Sequence, residues 1–220
     1  MIIIHHLEQS RSQRIVWLLE ALGVPYQIKT YSRDPNTKLA PPELKRVHPL
    51  GKAPVIEDEG TVIAESGAII EYILEKYGDG RLAPQTPEQK GHYRYWMHYA
   101  EGSLMPILVM SLIFSKIPEA PMPFFVRPLA KKLMKGVTDQ FIAPQLRDHL
   151  AMIEHHLTTH DWLCGDILTA ADIQMSFPLI AMRPRLDPQQ HGHIVAYLER
   201  IEQQPGYQSA LCVVGPLKTL

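Results

Sequence analysis

A small α/β domain with a mixed sheet, followed by an all-α domain, is the architecture this sequence predicts, and three observations predict it. The first 31 residues read strand, helix, strand. A hairpin and a further helix complete that unit by residue 78. Beyond residue 87 strand signals disappear and helical periodicity takes over.

Taken in order, Ile2-Ile3-Ile4 is a short β-branched run of the kind buried in parallel sheets. After a polar loop, Ile15, Leu18, Leu19 and Leu22 fall at i, i+3, i+4 and i+7, the apolar face of a helix that Gly23 caps and Pro25 ends. Tyr26 to Tyr31 is the next strand, so the unit is a right-handed β-α-β crossover. Residues 32–41 are a polar loop, and Pro42 to Val47 gives one or two helical turns. Strands over 54–57 and 61–63 flank Asp58-Glu59-Gly60, a hairpin signal. The helix from Glu65 to Tyr77 places Ile69, Ile70, Ile73 and Tyr77 on one face. The predicted division is therefore 1–78 for the α/β domain, 79–87 for a Gly- and Pro-containing linker, and 88–220 for the helical domain.

In the second domain a long helical pattern covers 88–115 with a kink expected at Pro106, and another covers 124–158 with a kink or break at Pro144. Leu146, Leu150, Ile153 and Leu157 give the latter an apolar face. Leu168-Thr169-Ala170-Ala171-Asp172-Ile173 reads as a capping box with a hydrophobic staple. From it Ile173, Phe177 and Ile180 are expected to enter the core. Ile194, Tyr197, Leu198 and Ile201 mark a further amphipathic helix, closed by Pro205-Gly206.

Composition narrows the function classes. A net charge of −1 without a basic stripe disfavours nucleic-acid and membrane-surface roles. No apolar run approaches the ~18 residues of a membrane span, so none is expected. Cys164 and Cys212 form no CxxC pair, which fits a reducing cytoplasm. His5-His6, His155-His156 and the pair His191 and His193 lack the spacing that points a set of ligands at one ion, so no metal is expected.

Residues 48–66 carry the chemistry. Pro54 stands directly before a strand, where a proline is unusual. It forces Ala53 extended, with its backbone groups free to pair with another chain. A cis Ala53–Pro54 bond would turn the chain sharply into that strand. Glu65-Ser66 then opens a helix whose N–H groups suit a carboxylate. An extended peptide ending in a free α-amino acid fits this arrangement.

The whole pattern resembles the cytosolic glutathione S-transferases, in particular a branch found in bacteria and fungi. The motifs that carry the resemblance are His48-Pro49-Leu50-Gly51-Lys52-Ala53-Pro54, Ala64-Glu65-Ser66-Gly67, Glu101-Gly102-Ser103-Leu104 and the box at 168–173, together with Trp17-Leu18-Leu19-Glu20 and Met122-Pro123-Phe124. The resemblance implies a thioredoxin-like N-terminal domain that binds glutathione and a helical C-terminal domain that contributes the second-substrate pocket. It further implies a cytoplasmic homodimer active in detoxification, with a small hydrophobic electrophile as second substrate and no cofactor beyond glutathione itself.

The enzyme's task in that family is to hold glutathione's thiol as a thiolate, since a free thiol with a pKa near ~8.5 is mostly protonated at neutral pH. Ser10, four residues before Arg14, matches the family's serine position and is the expected thiolate donor. Ser12 is the runner-up, and Arg11 would add positive potential. Ser12 and Gln13 replace the family's usual proline and cysteine, and either serine has a competing role as a helix cap. The resemblance assigns the Ala53 backbone, beside Pro54, to the cysteinyl part of glutathione, Ser66 to the γ-glutamyl carboxylate, Glu65 to its amine and Lys52 to the glycyl carboxylate. Glu101, with Ser103 beside it, would reach the ligand across a dimer or line the pocket. Tyr95, Trp96 and Tyr99 are assigned to core or interface.

Two other functions fit the same residues. The departure in the first loop suits a non-catalytic module that binds glutathione or another ligand. A glutathione-dependent disulfide reductase is also compatible, but without a protein thiol, because neither cysteine lies in the first domain.

Overall fold

The computed structural model describes residues 1–217. The first part runs β1 (Ile2–Leu7), α1 (Gln13–Leu22), β2 (Tyr26–Tyr31), α2 (Pro42–Val47), β3 (Val55–Asp58), β4 (Thr61–Ala64) and α3 (Ser66–Tyr77). The sheet order is β2-β1-β3-β4. β1 pairs parallel with β2, Ile4 opposite Ile28, and antiparallel with β3, Ile4 opposite Ile56. β1 is therefore central and buried, as its β-branched run requires. It also runs three residues further than the isoleucines, which brings His5 and His6 into the sheet. The β3–β4 turn puts Glu59 and Gly60 at φ 49° and 83°, the positive values a two-residue hairpin loop favours.

Asp58, at the end of β3, shows how this half is locked. Its buried carboxylate accepts hydrogen bonds from Tyr72 (2.9 Å), Lys76 (2.8 Å) and Tyr77 (2.6 Å), all on α3. Burial alone would raise its pKa, but these donors outweigh burial and bring it from 3.8 to about 2. A depressed carboxylate pKa stabilises the fold above the unfolded value and ceases to do so as pH falls through the folded value. Asp58→Asn is expected to lose on the order of 1–2 kcal/mol at neutral pH, a figure discounted because Lys76 is partly exposed. Wild type should lose the same increment between about pH 4 and 2. Urea unfolding of both proteins across that range checks this; parallel curves would refute it.

The helical part contains α4 (Pro87–Tyr99), α5 (Met105–Lys116), α6 (Arg127–Val137), α7 (Ala143–Leu157), α8 (Ala170–Met182), α9 (Gly192–Glu202) and α10 (Pro205–Val214). The two expected kinks are wide π turns, Ala100–Leu104 before Pro106 and Thr138–Ile142 before Pro144. Their cause is shared. A proline has no N–H for the carbonyl four residues back and its ring collides with that carbonyl. In each case that carbonyl, of Gly102 or Gln140, lies inside the widened turn.

One expectation needs correction and two need extension. Phe124 to Val126 lie in a turn before α6, so the second long helix starts later than its pattern predicts. α9 ends before Pro205-Gly206, and the same proline opens a further helix, α10, because a proline at the first helical position lacks only an N–H that would go unbonded anyway. The continuous helical stretch Pro87–Glu119 is long and apolar enough to cross a membrane by length and composition, although no single apolar run predicted it. It supplies Tyr93, Trp96, Met97, Ile107 and Leu108 to the interior, and core helices of folded domains meet the same criterion.

One buried cluster runs through both parts. Trp17 of α1 packs edge-on against Tyr207 of α10, with ring centroids 5.2 Å apart. Gly206 permits this approach: a Cβ there would meet the backbone of Ala21 at 2.9 Å. At the start of α8, Asp172 accepts the Thr169 N–H at 2.8 Å, closing the capping box. Trp96 and Tyr99 are buried and Tyr95 is half exposed.

Candidate active site

The cleft opens where β1 passes into α1 and faces the turn at residue 54. The Ala53–Pro54 peptide is cis, and Pro54 is buried where the chain enters β3. Across from it α3 begins at Ser66, preceded by Glu65 at φ 71° and ψ 124°. That backbone conformation costs a non-glycine residue roughly 1–3 kcal/mol and is found chiefly where surrounding structure enforces it at functional sites.

Two hollows share Arg11, Leu50, Lys52 and Ala53 and so form one cleft. The smaller, about 190 Å³, brings together Arg11, Lys52, Ala53, Pro54, Glu65, Ser66 and Glu101. The larger, about 830 Å³, is walled by Ser10, Arg11, Leu7, Leu39, Pro41 and Phe177, among others. Of the residues chosen from sequence, Ser103 and Ser12 line neither hollow; Ser103 is exposed. A third hollow of about 1180 Å³ lies between α3 and α4 and contains none of the first-loop residues, so its size does not make it the reaction site.

The first loop separates its two serines. Ser10 borders the larger hollow. Ser12, the alternative donor, is fully buried and borders neither. Ser12 occupies the N-cap position of α1 but makes no capping hydrogen bond. Its hydroxyl lies 2.7 Å from His6 Nδ1 and 2.7 Å from Ser10 Oγ.

Beneath the loop stands Arg14, whose guanidinium is completely buried. It donates to the Gln174 carbonyl (2.6 Å), to Ser66 Oγ (2.8 Å) and to a carboxylate oxygen of Glu101 (2.6 Å). Burial lowers its pKa to about 10 against the opposing pull of Glu101, so it stays cationic at neutral pH. Glu101 also accepts from Arg11 Nε at 3.0 and 3.1 Å. Burial would raise the Glu101 carboxyl, but the two arginines overcome it and lower its pKa. Glu101 thus binds within its own chain, from the π turn that carries it. Ser66 accepts from Arg14, which leaves the hydroxyl hydrogen of Ser66 to donate into the small hollow.

Sequence periodicity missed three contributors. Phe177, read as core, is half-buried in the cleft wall, and its ring lies 5.3 Å from the Arg11 guanidinium and 5.4 Å from that of Arg14. The Gln174 carbonyl holds Arg14 from a distance of 160 positions, which leaves no local signal. His6 is one of an adjacent histidine pair without ligand spacing, and only its contact with Ser12 singles it out.

Residues 1–75 match the glutathione S-transferase N-terminal domain and residues 119–205 the glutathione S-transferase C-terminal domain. Glutathione S-transferase 3 of Schizosaccharomyces pombe is 34% identical over 96% of this chain and 86% of its own length. Glutathione S-transferase 1 of Saccharomyces cerevisiae is 33% identical over 96% and 94%. Among solved structures, a glutathione S-transferase from Actinobacillus pleuropneumoniae superposes with a TM-score of 0.80 at 33% identity, covering 99% of this chain and 95% of that one. Two domain matches in the right order, two end-to-end relatives and a shared architecture place the chain in the cytosolic glutathione S-transferase family, with a thioredoxin-like first domain and a helical second domain.

Proposed function

We propose that this chain is a glutathione transferase that binds glutathione in the 190 Å³ hollow and activates its thiol beside Ser10 for attack on a hydrophobic electrophile held in the 830 Å³ hollow. The observation that carries the reading is the adjacency of a polar hollow to a wider one with a hydroxyl, Ser10, on its wall. In this reading Ser66 and the N-terminus of α3 take the γ-glutamyl carboxylate, and Glu65 takes the amine. The Ala53 backbone pairs with the cysteinyl unit, and Lys52 reaches the glycyl carboxylate. Arg11, cationic and partly exposed, adds positive potential next to the sulfur. Leu7, Leu39 and Phe177 offer the electrophile an apolar wall. Reduction of organic hydroperoxides uses the same thiolate and belongs to the proposal. So do a homodimer and a cytoplasmic location, both supported by the family.

The test is retention on immobilised glutathione combined with turnover against a panel of aryl halides, epoxides, enals, an organic hydroperoxide and a small disulfide. Retention with conjugation or peroxide reduction is expected. Retention without turnover would instead indicate a binding module, and turnover confined to the disulfide would indicate a reductase.

A further inference from the structure

Three side chains form an unbroken line from the buried sheet to the cleft: His6 of β1, Ser12 at the start of α1, and Ser10 in the loop between. Each step is 2.7 Å, short enough that every member must be a donor or an acceptor in a fixed sense. We propose that His6 is a positioning residue, acting through Ser12, that turns the hydroxyl hydrogen of Ser10 toward the glutathione sulfur. This rests on the reading that Ser10 is the thiolate's donor.

The argument is a count of hydrogens. A serine hydroxyl has one hydrogen to donate and can accept two. For Ser10 to donate to a sulfur, its oxygen must be the acceptor in the bond with Ser12. Ser12 then donates to Ser10, and its oxygen must accept from His6 Nδ1. A neutral imidazole carries its hydrogen on one nitrogen only, so this requires the tautomer protonated at Nδ1. In the other tautomer Nδ1 accepts, Ser12 gives it its hydrogen, and Ser10 gives its own to Ser12. The Ser10 hydrogen would then point away from the cleft. Hydrogen on Nδ1 is thus required for a loop that donates to the sulfur, and the Leu7 carbonyl, 3.5 Å from Ser12 Oγ, is too distant to take the Ser12 hydrogen from Ser10 at 2.7 Å.

Two features favour the productive sense. The Ser12 backbone N–H also approaches Ser10 Oγ, at 3.3 Å, so Ser10 already serves as an acceptor on its inner side. Burial lowers the His6 pKa, with Glu8 pulling the other way, which keeps the ring neutral at the pH of turnover. The relay transfers no proton. The thiol's proton leaves to solvent, and the three aligned bonds polarise one another toward the thiolate.

The experiment titrates the thiol of bound glutathione by its ultraviolet thiolate band, in wild type and in Ser10→Ala, Ser12→Ala, His6→Leu and His6→Asn. The expected effects on the acid dissociation constant are a loss of roughly a hundredfold for S10A and roughly three- to tenfold for S12A and H6L. The H6L/S12A double variant should match S12A, because both changes cut one line. H6N offers an amide N–H near the place of Nδ1 and should recover most of the H6L loss. On the unmodified protein, ¹⁵N shifts of the His6 ring should report hydrogen on Nδ1. A titration in S10A that coincides with wild type would overturn the role of Ser10 itself. A shift in S10A with wild-type behaviour in S12A and H6L would overturn the relay alone, as would hydrogen on Nε2 in the glutathione complex. The nitrogen measurement needs no variant, so a poorly folding H6L leaves the proposal open to refutation.

Discussion

Ser10→Ala is expected to lower kcat/KM for conjugation roughly ten- to a hundredfold near pH 6.5 while changing glutathione affinity by less than about threefold. The magnitude follows from two opposing effects. In the proposed role of Ser10, removing its hydroxyl raises the thiol pKa, and a rise of about two units reduces the thiolate fraction about a hundredfold. The remaining thiolate is more basic and intrinsically more nucleophilic, with a Brønsted slope of about 0.4–0.5, which returns roughly tenfold. Lost orientation of the sulfur acts on top of this and pushes the net loss upward. The sign of the pH dependence is fixed. Wild type should reach its plateau at a lower pH, and the deficit of the variant should narrow as pH rises toward the ~8.5 of a free thiol. Affinity should hold because Lys52, Ala53, Glu65 and Ser66 line the hollow independently of residue 10. Rates equal to wild type across pH 6–9 would remove Ser10 from the mechanism.

Asp172→Ala is expected to cost roughly 3–5 kcal/mol of stability. Asp172 is fully buried and accepts four hydrogen bonds: from the Leu163 N–H (2.9 Å), the Thr169 N–H (2.8 Å), the Thr169 hydroxyl (3.1 Å) and the Tyr197 hydroxyl (3.0 Å). A helix cap by itself is worth about 0.5–2 kcal/mol. Here one carboxylate joins the loop before α8, the start of α8 and the middle of α9. Truncation to alanine strands several buried donors at once, and each costs about 1–3 kcal/mol unless water enters. Urea unfolding should show the midpoint falling with little change in slope. Asp172→Asn, which keeps an acceptor but turns an amide N–H₂ toward the other donors, should fall between wild type and alanine. A loss below 1 kcal/mol for the alanine variant would mean that the interior rearranges to supply new partners.

The parts of the fold that sequence made legible are those governed by local rules. β2 and α2 have the bounds that their patterns indicate, because turn residues flank each one. Pro106 and Pro144 marked the irregular turns because a proline's missing N–H acts on its own helix. α10 was hidden by the same residue type, since a proline reads alike whether it stops one helix or starts the next. In the cleft, Lys52, Ala53, Pro54, Glu65 and Ser66 lie within 15 positions of one another and were read as a unit. Glu101 is expected from sequence to reach the ligand across a dimer or to line the pocket; it borders the small hollow, and its partners Arg11 and Arg14, some 90 positions earlier in its own chain, leave no local signal. Phe177 shares the period of a core helix, and periodicity reports which face of the helix it lies on but not that this face ends at a cleft.

The buried Arg14 bears on whether the protein can be divided. Its three partners, Ser66, Glu101 and the Gln174 carbonyl, belong to α3, to the turn after α4, and to α8. The first loop and the start of α1 are tied equally far along the chain, with Gln13 donating to the Gly215 carbonyl and Gln9 to that of Pro216. The peptide-holding half and the helical half are thus neighbours in sequence but not independent modules. A fragment ending near residue 80 would contain Arg14 without its countercharge, Ser66 without the arginine fixed behind it, and α1 without the cover of α10. Chimeras that exchange helical halves between relatives to change electrophile preference would have to carry Glu101, Gln174 and residues 205–216 as one set with the loop they support.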